Sequence, residues 1–222
     1  EGFCVVRGPD LLWGGDIKRF HVPAGVFDGL IGGPPCQVFS PMMNLVKLNG
    51  AAKLGENLIP EFERVIAEAA PRWFVMENTR HAPIPHVDGY VIDATLLENR
   101  WLGGEQRRLH RFSFGTRDGR RLHYQTIALE SSSKERRVLA TELSRGSPPM
   151  LYRNGSGELV KRSYIGRKRY LEEAMRLQGI PPDFFEHSPF LAEAKGRMVG
   201  NAVPLPMARE LARAVREALE KP

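Results

Sequence analysis

Apolar and polar positions along this chain switch between a period near two and a period near 3.6, and the switches mark its elements. Phe3-Cys4-Val5-Val6 is a short β-rich run, with Cys4 expected in strand core, and the Gly8-Pro9 turn closes it. A second apolar run ends in Phe27-Asp28-Gly29-Leu30-Ile31 and reads as a buried strand. Pro60 to Ala70 then has helical spacing: proline opens it, acids fill its first turn, and Phe62, Val65, Ile66 and Ala69 share one face. Pro71 stops this helix, and Trp73-Phe74-Val75-Met76 makes the next buried strand. Tyr90 to Leu97 and Arg111 to Gly115 read as two more strands. They can pair as a hairpin through Glu98 to His110, which holds Gly103-Gly104. Tyr170 to Gln178 is helical, with Leu171, Ala174, Met175 and Gln178 in phase and Gly179 as its C-cap. A last helix starts at Pro206, and Met207, Leu211, Val215 and Leu219 recur on one of its faces. Between these elements, Met42 to Gly55 shows no clean period and reads as a loop of active-site-lid type.

Composition narrows the class. A chain of 222 residues can bury one sizeable core and leaves room for a second, smaller lobe. Only Cys4 and Cys36 are present, so there is neither a disulfide framework nor a paired-cysteine metal spacing, and a reduced intracellular compartment is the natural home. No apolar run approaches the ~18–20 residues that a membrane span needs, and no signal-peptide pattern precedes the first strand. The expectation is a cytoplasmic protein without a metal site. The net charge of +6 is unevenly spread: Thr116 to Arg169 holds ten Arg and three Lys against one Asp and four Glu, which leaves the remainder slightly acidic. A basic segment between near-neutral folded parts is the electrostatic footprint of a polyanion-binding insert; the competing reading is a solvated arginine-rich loop.

The candidate chemistry gathers at strand ends. Cys36 follows Gly32-Gly33-Pro34-Pro35 at the carboxyl end of the Phe27 to Ile31 strand, the edge where open α/β sheets collect ligands and reacting groups. Taken alone, Cys36 is as well read as a buried structural thiol. Glu77-Asn78-Thr79 emerges from the next strand, on the same edge if the two strands run parallel through the intervening helix. Asp10 and Asp16 each follow a turn near a strand end, where an acid suits a ribose or an adenine amino group; capping a turn or helix is the commoner use of a single Asp.

Pro35-Cys36-Gln37, Glu77-Asn78-Thr79, Gln106-Arg107-Arg108, Glu173 with Arg176-Leu177-Gln178-Gly179, and Gly200-Asn201-Ala202-Val203 stand in the order of the motifs of cytosine-5 DNA methyltransferases, and the chain resembles that family. The resemblance implies an α/β fold: a doubly wound, Rossmann-like S-adenosylmethionine-dependent methyltransferase sheet with a small inserted target-recognition lobe. It divides the chain into a catalytic domain over 1–115, a target recognition region over 116–164, and a return to the catalytic domain over 165–222.

It further implies that Cys36, Glu77 and Arg108 are catalytic, and that Asp10, Asp16, Ile17, Asn201 and Val203 bind S-adenosyl-L-methionine. Pro35, Gln37, Ser40, Asn78, His110 and Arg111 are implied at the cytosine. The family pattern is Gln-x-Arg-x-Arg, whereas this chain reads Gln106-Arg107-Arg108-Leu109-His110-Arg111, so the place of the second arginine falls to His110 or Arg111. Thr79 stands where the family more often has valine. The glycine-rich first motif is absent, and a start at Glu1 almost inside a strand points to a segment upstream.

The implied activity is methyl transfer to carbon 5 of cytosine in double-stranded DNA, by a monomer with a cognate restriction endonuclease as a candidate partner. Two alternatives stand beside it: a tRNA cytosine-5 methyltransferase of the same fold, and a nucleic-acid-binding relative without turnover.

Overall fold

A computed structural model describes residues 2–5, 15–39, 56–127, 151–153, 159–161 and 167–220. Asp10, Ser40, the 42–55 loop and much of the basic segment lie outside the described residues. The chain divides into two compact units. The first comprises 1–97, 109–124 and 211–222, and the second 98–108 and 125–210.

In the first unit, helix α1 (Ile59–Ala69) forms as its spacing predicts, with proline in its first turn and Glu61 beside it. Asn57 accepts from the backbone N–H of Ile59 at 3.1 Å, one of the donors that a helix start leaves open. The helix ends where Ala70 turns left-handed at φ 46° and Pro71 follows. Ile59, Phe62, Val65, Ile66 and Ala69 are buried, a stripe at i, i+3, i+4 and i+7 intervals. Its polar face is tied to the Ile17–Arg19 turn: Arg64 pairs with Glu61 at 2.8 Å and Glu68 at 2.7 Å, and donates to the carbonyls of Ile17 and Phe20. The Arg64 guanidinium, and then His21, hold the Glu68 carboxyl below its ordinary value of 4.5.

The sheet has the order β1-β2-β4-β3, from β1 (Gly29–Gly32), β2 (Trp73–Asn78), β3 (Val91–Glu98) and β4 (Leu109–Thr116). Every residue of β2 except Glu77 is buried, which is why the strand reads as a continuous apolar run instead of an alternation. β1 runs parallel to β2 with Gly32 opposite Met76, as expected if α1 is the crossover. Gly32 is required by packing, because a β-carbon there would come within 2.5 Å of the Phe62 ring. β4 is antiparallel to β2, and Glu77 lies opposite Phe112 and Asn78 opposite Arg111. Ile59, Phe62 and Ile66 of α1 pack with Phe74 and Met76 of β2. The expected hairpin neighbours β3 and β4 are adjacent, joined through the short Asn99–Leu102 turn. One expectation is corrected: residues 2–5 form no strand, and Cys4 is exposed.

In the second unit, helix α2 (Arg167–Gln178) buries Ala174, Met175 and Leu177 with Phe185 and Val199. Gly179, at φ +72°, closes it: its N–H bonds the Arg176 carbonyl at 2.9 Å and the Ile180 N–H bonds Met175 at 2.8 Å. This is a Schellman end, and Ile180 packs on the same cluster. Helix α3 (Ala192–Asn201) was not legible from apolar spacing, and the last helix, α4, runs over Leu205–Glu220, its residues from Leu211 on belonging to the first unit. β5 (Leu151–Arg153) and β6 (Leu159–Lys161) pair antiparallel within the basic segment. Among the described residues no helix is long and apolar enough to cross a membrane, and no cluster of His, Cys, Asp and Glu could hold a metal ion.

Candidate active site

The mixed sheet decides what can meet. Parallel β1 and β2 end at the same edge, and antiparallel β4 begins there, so the segment after Gly32, the pair Glu77-Asn78 and the pair His110-Arg111 converge. Cys36 opens a short helical turn, Cys36–Phe39, directly beyond β1, and is exposed. The approach to it is fixed by burial: Pro34 is buried, and the buried Asn78 donates Nδ2 to the Pro34 carbonyl at 3.0 Å. Asn78 Oδ1 meanwhile accepts from the Thr79 N–H at 2.8 Å. This side chain, the last of β2, fastens the thiol-bearing turn to the end of the neighbouring strand.

Glu77 sits one residue earlier and faces the other side of the sheet. Its side chain is 21% exposed, and Oε1 meets Nδ1 of His110, itself 14% exposed. Its second oxygen lies against Gly33, where a β-carbon would come to 3.2 Å. Arg111 turns elsewhere, donating to the carbonyls of Arg80 and Ala82. A thiol-bearing turn, a carboxyl beside the backbone that leads into it and an imidazole on that carboxyl therefore occupy one sheet edge. Pro35, just before the turn, is half-buried, and the backbone of Gln37 belongs to the turn.

Asp16, also in the first unit, caps the Ile17–Arg19 turn by accepting from the Lys18 N–H at 3.0 Å. Its carboxylate is exposed beside Ile17, which is half-buried against the Val22, Val65 and Ala69 cluster.

The second unit holds the other expected residues. Arg108 donates its backbone N–H to Glu98 at 2.6 Å and Nη2 to the Gly200 carbonyl at 3.0 Å. Asn201 ends α3 with an exposed side chain, and Val203 follows half-buried. Two residues whose weight sequence reasoning missed are Gln106 and Gln178, both fully buried. Gln106 Nε2 donates to the Leu177 carbonyl and to Gln178 Oε1, at 3.0 and 2.7 Å. Gln178 Nε2 donates to Val199 at 2.6 Å and to Ala202 at 3.1 Å. This network joins three of the sequence motifs, and its signal was a glutamine in phase with the apolar face of α2.

Residues 14–82, which hold Asp16, Cys36, Glu77 and Asn78, match the family model described as C-5 cytosine-specific DNA methylase. The chain is 25% identical to the type II methyltransferase M.HgiDI of Herpetosiphon aurantiacus over 239 residues, covering 87% of this chain and 74% of that protein. It is 26% identical to the type II methyltransferase M.DdeI of Desulfomicrobium norvegicum over 174 residues, 71% of this chain and 40% of that protein. Two solved structures share the fold. The S. pombe Dnmt2 methyltransferase has a TM-score of 0.53 at 14% identity, over 93% of this chain and 84% of that one. The Entamoeba histolytica methyltransferase EhMeth has 0.52 at 9%, over 87% and 78%. The α/β fold is thus that of the methyltransferases, and in residues 14–82 the chain is similar to the C-5 cytosine-specific DNA methylases.

Proposed function

We propose that this protein methylates carbon 5 of cytosine in double-stranded DNA through a covalent adduct of Cys36 with a flipped-out base. The observation that carries this is the sheet edge itself: Asn78 ties the segment that leads into the Cys36 turn to β2, and Glu77, the preceding residue, sets its carboxyl against Gly33 of that segment.

A pyrimidine ring resists a methyl donor at carbon 5, and covalent catalysis splits that step into two easier ones. The Cys36 thiolate bonds to carbon 6 while the Glu77 carboxyl gives a proton to ring nitrogen 3, so that the addition product carries no charge on the ring. Carbon 5 is then an enamine carbon and takes the methyl group. Loss of the carbon 5 proton to solvent breaks the carbon–sulfur bond, Cys36 leaves as thiolate, and nitrogen 3 returns its proton to Glu77. The target must first leave the duplex, since its ring faces are closed in the stack.

S-adenosyl-L-methionine would supply an electrophilic methyl group on a sulfonium, whose sulfur would leave as a neutral thioether when the methyl–sulfur bond breaks. The exposed Asp16 carboxylate beside the apolar Ile17 fits an adenine with its amino group, and Asp10, Asn201 and Val203 complete the proposed set. Arg108, held on the Gly200 carbonyl, positions the Gly200 to Val203 segment. The region 116–164 selects the sequence through base contacts while its arginines hold phosphates. The protein works as a cytoplasmic monomer and belongs with a cognate restriction endonuclease.

Labelled methyl transfer, measured on duplex DNA and tRNA side by side, tests the substrate. Incorporation into DNA that is lost in Cys36→Ser is the expected result. Incorporation into tRNA alone overturns the DNA assignment, and an undiminished Cys36→Ser overturns the nucleophile.

A further inference from the structure

We propose that His110 is the positioning residue for Glu77: its imidazole Nδ1–H holds Oε1 of the carboxyl, so that Oε2 is presented toward the Cys36 turn. The proposal rests on the reading of Glu77 as the group that protonates cytosine.

Strand register gives the first support. Glu77 lies opposite Phe112, and opposite residues of an antiparallel pair share a face. His110 is two residues from Phe112, so it lies on that face as the diagonal neighbour of Glu77. Arg111 lies opposite Asn78 on the other face, and its guanidinium is bonded to the carbonyls of Arg80 and Ala82. A shift of one residue along a strand exchanges faces, so Arg111 cannot take over the place at 110. The choice between the two candidates for the second arginine therefore falls on His110.

Packing gives the second support. A glutamate side chain has three rotors, and ordering it costs conformational freedom. Both ends of the Glu77 carboxyl are met: the imidazole stands at Oε1, and the bare backbone of Gly33 stands at Oε2. The imidazole is only 14% exposed, so water competes poorly for the contact. An arginine at this position would reach farther and carry a fixed charge with five donors. Histidine offers one short donor, which suits holding a neighbour's carboxyl more than reaching a substrate carbonyl.

Two measurements test this. The first is independent of catalysis: ¹⁵N NMR of labelled wild-type protein, at a pH where the imidazole is neutral, reads which ring nitrogen of His110 carries hydrogen. The Nδ1–H tautomer is expected, reverting toward Nε2–H in Glu77→Ala. The second is the steady-state kinetics of methyl transfer. His110→Ala should lower kcat about 100-fold with the KM for DNA little changed, the loss typical of a misplaced reacting group. His110→Asn, whose amide can donate from nearly the same place, should recover most of it, and free imidazole should partly rescue the alanine variant. An Nε2–H wild type overturns the proposal, as does an asparagine variant as slow as the alanine one. If the wild type transfers no methyl group to cytosine, the functional reading fails, and the tautomer still decides the Glu77–His110 contact.

Discussion

Asn78 and Thr79 show how much a single position at the end of β2 determines. Asn78 is buried and satisfied at both ends of its amide, by the Pro34 carbonyl and the Thr79 N–H. Asn78→Ala removes the tie to the Cys36 turn and leaves a buried carbonyl without its donor. A loss of about 1–3 kcal/mol in denaturant unfolding is expected, with a larger proportional loss of methyl transfer than of DNA binding. Thr79 presents the opposite case. Its Oγ1 is buried with no hydrogen-bond partner among the described residues, and the resembling family more often has valine there. Thr79→Val keeps the shape and deletes the orphan hydroxyl, so the protein should be unchanged or up to about 1 kcal/mol more stable. A clear loss of stability in the same unfolding assay would show that the hydroxyl is in use.

At the scale of elements, apolar spacing was a reliable guide where one face is buried and a poor one elsewhere. Helix α1, β2 and the β3–β4 neighbours were legible because Phe62, Val65, Ile66 and Ala69 fall on one stripe and because β2 is apolar without interruption. Helix α3 was not: over Ala192–Asn201 only Gly196, Val199 and Gly200 are buried, and two of these are glycines. The first strand failed for a different reason. Phe3-Cys4-Val5 has β propensity, but propensity becomes a strand only with a partner, and none pairs with it among the described residues.

At the candidate site, Cys36, Glu77 and Asn78 could be read from their positions at strand ends. The fate of His110 and Arg111 could not, because it depends on register across β2 and β4. Gln178 was legible only in part: its phase on the apolar face of α2 marked it as buried, but not that its amide bonds the Val199 and Ala202 carbonyls, and Gln106, in a bend before β4, has no periodicity to mark it. Gln178→Leu should cost about 2–4 kcal/mol by thermal or chemical unfolding, since it strands the Val199 and Ala202 carbonyls and one partner of Gln106.

The polar face of α1 carries a pH dependence. The Glu68 carboxyl is depressed by Arg64, then by His21, so the stability it contributes is present above its unfolded value and is lost as pH falls through its folded one. Arg64→Ala should therefore flatten the acid side of the curve of stability against pH. An acid limb unchanged by the substitution would contradict this assignment.

At the scale of the whole molecule, the motifs divide between the two units. One carries the Cys36 turn with Glu77, Asn78 and His110, and the other carries Arg108 with the Gln178 network and the Gly200 to Val203 segment. The relatives share this chain's methyltransferase resemblance over most of its length, and the family model falls on the part that holds the proposed nucleophile. If Cys36 bonds to cytosine, mass spectrometry of the trapped adduct reads that bond directly. Duplex DNA with 5-fluorocytosine at the target lacks the carbon 5 proton whose loss releases the thiol, so the adduct should persist after methyl transfer. Proteolysis should yield the Cys36 peptide bearing the methylated fluorinated nucleotide, and Cys36→Ser should yield no adduct. A nucleotide found on any other residue, or an adduct that forms equally in Cys36→Ser, would contradict the Cys36 assignment.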